Sequence, residues 1–283
     1  MVAARLRDPV MIPALRNRLK RVVPLVAVVR VVRALATPLG RGWLRAGRAG
    51  AGLFQPATVT RLDRHPPLFA VVTARLADRA APRLLSFGCS TGEEAVTLAR
   101  YLPHARIDAI DANPACIVRA RHTAARLAPR PASGRIDFAC ADTPDALVVR
   151  RQGAPGNDAR NDAGDYGAEG YDAVFCLSVL RHGDLDVLRP EACTGLLPFA
   201  RFAAAVAALD RCVAPGGMLI LWGCHFRFTD TATASRYRVI ATPGARPQPG
   251  PFYGPDDRML PEGAYAAFVF VKDAAVTAGT IAA

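Results

Sequence analysis

The stretch Leu84-Leu85-Ser86-Phe87-Gly88-Cys89-Ser90-Thr91-Gly92-Glu93-Glu94 decides how the rest of the chain is read. A short apolar run ends in two glycines and then two carboxylates, the pattern of a buried strand that turns tightly into a helix. Glycine at such a turn adopts positive φ without strain and lets a ligand come close to the backbone.

Three chemistries fit the turn to different degrees. Gly88-x-Ser90-x-Gly92 spells the nucleophile elbow of α/β-hydrolases, with Ser90 exposed after a strand. However, only one strand-forming region precedes it and no His-Gly-Gly segment lies upstream. Glu93 and Glu94 would also place negative charge where an oxyanion needs stabilising. A dinucleotide turn would want a third glycine, and the same two acids in the first helical turn repel a pyrophosphate. A cationic ligand without phosphate suits them better, although Glu93 by itself is equally well explained as a capping acid on the helix dipole.

Working outward, the sequence from about residue 66 alternates short apolar runs with amphipathic segments, which predicts a parallel sheet covered by helices. Strands are expected at Arg83 to Phe87, Arg106 to Ile110, Ile136 to Cys140, Ala173 to Leu177 and Met218 to Trp222. Helices are expected at Gly92 to Tyr101, Pro114 to Leu127 and Pro198 to Val213. The strict order of strand then helix favours right-handed crossovers, and so an α/β, Rossmann-like, doubly wound sheet with helices on both faces. Tyr237 to Ile240 and Tyr265 to Val271 have no convincing helix between them, so they are expected to pair as an antiparallel edge.

Two acids then fall in register with the turn. Asp111 closes the second strand, 19 residues after Gly92, where a carboxylate can accept both hydroxyls of a ribose. Asp142-Thr143 closes the third, where an acid can take an adenine amino group. Either acid alone is compatible with a turn or helix-cap role. Together with Glu94 they lie at the carboxyl edge of one sheet, where ligands bind in such folds. S-adenosylmethionine meets all three requirements: it carries an ammonium, a sulfonium and no phosphate, and backbone N–H groups can hold its carboxylate.

The 283 residues suit one core plus appendages, organised as a basic arm or helix over 1–55, one domain over 56–275 and a tail over 276–283. Within the domain, 151–170 reads as a mobile loop and 243–261, with Phe252 and Tyr253, as a lid or pocket wall. The net charge of +12 is unevenly placed: ten arginines and Lys20 against Asp8 in residues 1–50 account for +10. The body is therefore nearly neutral, which disfavours nucleic acid as partner and leaves the arm to lie on the protein, on a partner or on an anionic surface. Seven cysteines without a C-x-x-C pair fit reduced, buried thiols, and no metal site is expected. There is no apolar run of transmembrane length, and Arg30, Arg33 and Pro24 spoil a secretion signal, so a cytoplasmic protein is expected.

Over roughly residues 80–272 the chain resembles class I S-adenosylmethionine-dependent methyltransferases. The resemblance rests on the glycine turn, Asp111, Asp142, the run Tyr171-Asp172-Ala173-Val174-Phe175-Cys176-Leu177-Ser178-Val179-Leu180-Arg181-His182 and the Ala214-Pro215-Gly216-Gly217 turn. It implies seven strands with the last reversed. It also implies that cofactor contacts come from Gly88, Cys89, Ser90, Gly92, Glu94, Asp111, Ala112, Asn113, Asp142, Thr143, Ser178 and Val179. The turn and Phe175-Cys176 are most like the cofactor half of chemotaxis-receptor glutamate methyltransferases, and by that resemblance Glu94 holds the cofactor's ammonium. That family's Arg-Asn pair is here Leu177-Ser178, and its docking insertion is absent, so its substrate is not carried over. The acid usual in the first strand of the wider family is here Ser86.

For the transfer itself, His182 after strand four and His225 after strand five are the expected bases, although His182 is equally explained by packing beside the adenine; His65, His104 and His122, on helices or turns away from the strand edges, read as structural or solvated. Arg227 between Phe226 and Phe228, with Tyr253, is the expected acceptor contact, although Arg227 is equally explained as a latch that packs the lid. The expected acceptor is a small molecule or glycan precursor, methylated on oxygen. Transfer to a protein carboxyl group and a non-catalytic cofactor-binding module are the alternatives.

Overall fold

The computed structural model describes residues 35–48, 53–54, 58–129, 135–147 and 170–274. Most of the expected arm, the loop over 151–169 and the tail over 276–283 lie outside the described residues. In chain order the elements are α1 (Pro38–Arg48), α2 (Pro66–Leu76), β1 (Arg83–Phe87), α3 (Glu93–Tyr101), β2 (Arg106–Asp111), α4 (Pro114–Leu127), β3 (Ile136–Cys140) and β4 (Tyr171–Leu177). They continue with α5 (Gly183–Leu188), α6 (Phe199–Cys212), β5 (Val213–Trp222), β6 (Tyr237–Ile240), β7 (Gln248–Pro249), β8 (Ala264–Tyr265) and β9 (Val269–Lys272).

Seven strands form the main sheet in the order β3-β2-β1-β4-β5-β9-β6. β1 to β5 run parallel, and β9 is inserted antiparallel to both β5 and β6. This is the seven-stranded α/β arrangement with one reversed strand that the sequence implied. The chain winds outward from β1 to β3 and then returns to place β4 on β1's other side. The carboxyl ends of β1 and β4 therefore flank the switch point where open α/β sheets bind ligands.

Residues buried on both faces explain why these strands read as continuous apolar runs. Along β1, Leu84 packs into one core and Leu85 into the other; along β5, Met218 and Ile220 face the first while Leu219 and Leu221 face the second. The first core is closed by α2, α3 and α4 through Phe69, Val72, Leu98 and Ile117, and the second by α6 through Phe202, Val206 and Leu209. Asp210, 2% exposed, takes Tyr237 Oη at 2.9 Å, Arg236 at 2.6 Å and Lys272 at 3.3 Å, tying α6 to β6 and β9.

Four expectations need correction. The strand expected from Met218 begins at Val213, and the Pro-Gly-Gly turn is absorbed as an irregularity, since β4 partners jump from Tyr171↔Val213 to Ala173↔Met218. The run Tyr265 to Val271 is not one strand: Ala264–Tyr265 pairs with Gln248–Pro249, and only Val269 onward pairs with β6. The segment 243–261 walls a separate cavity, lined by Phe252, Met259 and Leu260, and does not cover the two cavities at the glycine turn. Phe252 and Tyr253 are 3% and 0% exposed, and Tyr253 is fixed by its N–H to the His225 carbonyl and its hydroxyl to the Pro190 carbonyl. Apolar burial outweighs solvent access at those rings. Cys140, expected to be buried, is exposed at the end of β3.

Candidate functional site

The glycine turn owes its shape to internal packing. Gly88 (φ +74°) and Gly92 (φ +93°) are both left-handed. A Cβ on Gly88 would sit 2.4 Å from Val179 Cγ2, and one on Gly92 2.9 Å from the Ala120 Cα in α4. No side chain fits either position. The N–H groups of Gly88 and Cys89 donate to the Ile110 carbonyl at 2.8 and 2.9 Å, that of Ser90 to Asp111 Oδ2 at 2.9 Å, and that of Gly92 to the Cys89 carbonyl at 3.0 Å. These four donors are spent within the protein, contrary to the expectation that the turn's backbone would hold a ligand carboxylate. Ser90 Oγ donates to the Thr58 carbonyl at 3.0 Å, so it is a tether and not an activated nucleophile.

Two adjoining cavities meet at Gly88, Ser90 and Ser178. The smaller, of about 90 Å³, is lined by Asp111, Ala112, Asp142 and Val179 and walled by Leu53, Phe54 and Phe87. Asp111 accepts the Asn113 N–H on Oδ1 at 2.8 Å as well as that of Ser90, which fixes the carboxylate while leaving lone pairs on both oxygens. Burial raises its pKa, and those two N–H bonds oppose the rise. An acidic rim above apolar, partly aromatic walls suits a ribose and a flat base.

The larger cavity, of about 290 Å³, is lined by Cys89 and Glu94 beneath, Leu177 and Arg181 from the end of β4, and a strap over 58–65 that carries Arg61, Arg64 and His65. Glu94 accepts Ser86 Oγ at 2.7 Å, and burial pushes its pKa up to about 7 against that hydrogen bond and the nearby Arg64. Ser86 thus occupies the place where an acid was expected and serves the neighbouring acid instead. His65 is tilted on Trp222 with centroids 4.2 Å apart; burial first, then Arg64 and Arg61, hold its imidazole down at about 4.

The strap is tethered at three points. Thr58 accepts from Ser90, the Asp63 N–H donates to Thr97 Oγ1 at 3.0 Å, and Tyr101 Oη donates to Asp63 Oδ1 at 2.9 Å. Asp63 itself sits at φ +50°. Nothing in the sequence singles out the strap's arginines, and His65, expected to be structural or solvated away from the strand edges, instead lines the cavity. Arg61 and Arg64 were counted only in a nearly neutral body, and the one available signal was two basic residues and a histidine just ahead of a helix beginning Pro66-Pro67.

Most of the expected cofactor residues converge. Gly88, Cys89, Ser90, Glu94, Asp111, Ala112, Asp142, Ser178 and Val179 line one cavity or both. Gly92, Asn113 and Thr143 line neither. Asn113 caps α4, accepting the Ala115 N–H at 3.0 Å, and donates through Nδ2 to the Leu39 carbonyl at 2.8 Å, docking α1.

The expected bases and acceptor contacts lie elsewhere. His182 caps α5, its Nδ1 accepting the Asp184 N–H at 3.3 Å, which leaves the ring proton on Nε2. His225 is 2% exposed, with Nδ1 3.1 Å from the Pro251 carbonyl and Nε2 3.0 Å from the His182 carbonyl. Burial lowers its pKa and both carbonyl contacts oppose that. Neither imidazole lines the cavities. Phe226 packs among Phe199, Phe202 and Tyr253, and Arg227 lies over Phe252 at 5.9 Å. Apolar packing of the segment after β5 holds His225, Phe226 and Arg227 outside the two cavities.

No family model matches the sequence, and no curated protein matches it. Solved structures similar to this one include a precorrin-6y C5,15-methyltransferase from Geobacter metallireducens, with 13% identity over 77% of this chain and 94% of that one and a TM-score of 0.42. A methyltransferase from Thiobacillus denitrificans in complex with S-adenosylhomocysteine has 20% identity, 56% and 48% coverage and a TM-score of 0.31. An O-methyltransferase family protein from Burkholderia thailandensis has 16% identity, 55% and 36% coverage and a TM-score of 0.33. The chain thus spans nearly all of the first and less than half of each of the other two. Among the described residues no helix is long and apolar enough to cross a membrane.

Proposed function

We propose that this chain is an S-adenosylmethionine-dependent methyltransferase acting on an oxygen of a small molecule or glycan precursor. The carrying observation is the distribution of acids about the glycine turn. Glu94 lies partly buried beneath one cavity, Asp111 and Asp142 line the other, and four N–H groups of the turn are already engaged, which disfavours a phosphate. Glu94 would hold the ammonium, Asp111 the ribose hydroxyls, Asp142 the adenine amino group, and Leu53, Phe54 and Phe87 would sandwich the base. Arg64, half-buried and near Glu94, would take the cofactor carboxylate.

Bound there, the cofactor supplies an electrophilic methyl group on a sulfonium. The chain's own contribution is to hold the acceptor in line, to exclude water through the strap, and to surround the transfer with fixed dipoles. His182 and His225 support that arrangement from outside the cleft, by capping α5 and by bridging the His182 and Pro251 carbonyls.

The test is calorimetric titration with S-adenosylmethionine, S-adenosylhomocysteine and NAD. Binding of the first two and not the third is expected, weakened in Asp111→Asn and Asp142→Ala; no binding, or unchanged affinity in both variants, overturns the reading. Transfer to a protein carboxyl group is the second reading, favoured by the absence of His182 and His225 from the cleft, because a carboxylate oxygen has no proton to lose. Label from radioactive cofactor appearing only in protein would establish it over the first. Binding without turnover on any fraction would leave a cofactor-binding module.

A further inference from the structure

The larger cavity carries more positive charge than its cofactor requires. Arg61 and Arg64 from the strap and Arg181 from the turn after β4 line the same space. Arg64 records the crowding: burial depresses its pKa first, then the charge of Arg181, with Arg61 adding to both and Glu94 opposing. The acids of the cavity balance this only in part. Asp186 meets Arg181 through Nη2 and offsets one of the three charges. Glu94, at about 7, is only half ionised near neutrality, so Arg61 and Arg64 are left in excess and an anion on Arg181 would share it with Asp186. S-adenosylmethionine is itself a net cation, so its single carboxylate engages one guanidinium while its arrival adds positive charge. Converging like charges on a partly desolvated cavity is unfavourable unless a ligand compensates them, and the guanidinium fork matches carboxylate and phosphate oxygens. The wall beside the cluster also holds a buried polar atom with no hydrogen-bond partner, His65 Nε2, on a ring packed against Trp222.

We propose that the methyl acceptor is a small anion whose carboxylate or phosphate group sits on Arg61 and Arg181, beside the Arg64 that takes the cofactor carboxylate. This rests on the methyltransferase reading. It adds an electrostatic coupling, in which the anionic acceptor and the cationic cofactor each favour the other's binding, and transfer weakens that coupling because the sulfonium becomes a neutral thioether.

The full chain is titrated at constant ionic strength with S-adenosylmethionine and with S-adenosylhomocysteine, in the presence of sodium phosphate, disodium succinate or uncharged succinamide. The readout is the ratio of affinities with and without the additive. Phosphate or succinate is expected to tighten S-adenosylmethionine on the order of tenfold, and S-adenosylhomocysteine less. The more effective anion identifies the acceptor's head group. The ratio should fall towards one in Arg61→Gln and in Arg181→Gln. Arg61 is exposed at the rim, so its variant keeps the test valid if loss of the Arg181 pair disturbs folding. The inference is overturned if both cofactors bind but neither anion changes the ratio, if succinamide matches succinate, or if the coupling survives in Arg61→Gln. Absence of cofactor binding in the unaltered chain sinks the methyltransferase reading, and this one with it.

Discussion

The two ends of the cleft differ both in charge and in what holds them. At the Asp111 end, Asp111 stands on the terminus of β2 and the aromatic Phe87 on that of β1, where the ladder fixes each against its neighbour, and Asp142 follows two residues past the end of β3. At the Arg64 end the groups come from a strap and a turn, held by single hydrogen bonds to Thr97, Tyr101 and Ser90. The first end suits an invariant ligand such as a cofactor. The second suits a ligand that differs from one enzyme to the next, because a tethered strap changes shape without disturbing the sheet.

The sharpest way to break the comparison is Asp111→Ala. It removes the proposed ribose acceptor and leaves the Ser90 and Asn113 N–H groups without their carboxylate partner, so affinity for S-adenosylhomocysteine should fall by about two orders of magnitude in calorimetry. A loss of threefold or less would mean that this end does not bind a nucleoside.

Glu94 gives the next largest effect, with a defined pH dependence. Its carboxyl is neutral in both states below about 4.5, and between there and about 7 it ionises only in the unfolded chain. Stability conferred by this group therefore falls as pH rises across that window, and the whole penalty, on the order of 1–3 kcal/mol, stands above it. Glu94→Gln should melt higher than the unaltered chain at about pH 8 and not at about pH 4.5. The same variant should bind S-adenosylmethionine about tenfold more weakly at the higher pH, where the lost carboxylate would have been charged. Melting curves that stay superimposed at both pH values would show that Glu94 is not held in the raised state.

Thr97→Val addresses the strap. It frees the Asp63 N–H, should cost about 1 kcal/mol in thermal unfolding and should speed exchange of that amide, while leaving the Asp111 end intact. Unchanged exchange at Asp63 would show that the strap does not depend on this tether. Smallest is His182→Ala: loss of the α5 cap should cost at most about 1 kcal/mol, with S-adenosylmethionine affinity within about twofold. A tenfold weaker affinity would put His182 back in the cleft.

Much of the sheet end was legible because its determinants are local. Strand β1, the helix after it and the start of α4 at Pro114 follow from a continuous apolar run, turn chemistry and Pro at the first helical position. Asp111 and Asp142 followed because strand ends in a parallel sheet share one edge. The strap was illegible because no local pattern says which cavity Arg61, Arg64 and His65 will face; that depends on contacts with Thr97 and Ser90, 34 and 32 residues away. His225, Phe226 and Tyr253 misled for the opposite reason. Their position after strand five pointed to the cleft, and long-range packing against α6 drew Phe226 into the core.

The sequence by itself determined the sheet, its glycine turn and the acids along its edge, since each is specified by residues within one strand–turn–helix unit. Only the tertiary structure decided that the turn's N–H groups are spent on Ile110, Asp111 and Cys89, that Glu94 takes the buried Ser86 hydroxyl, and that three arginines line the same cavity. Those are encounters between segments far apart in the chain. Their outcome is set by which apolar faces pack together and by how burial then shifts the charges left between them.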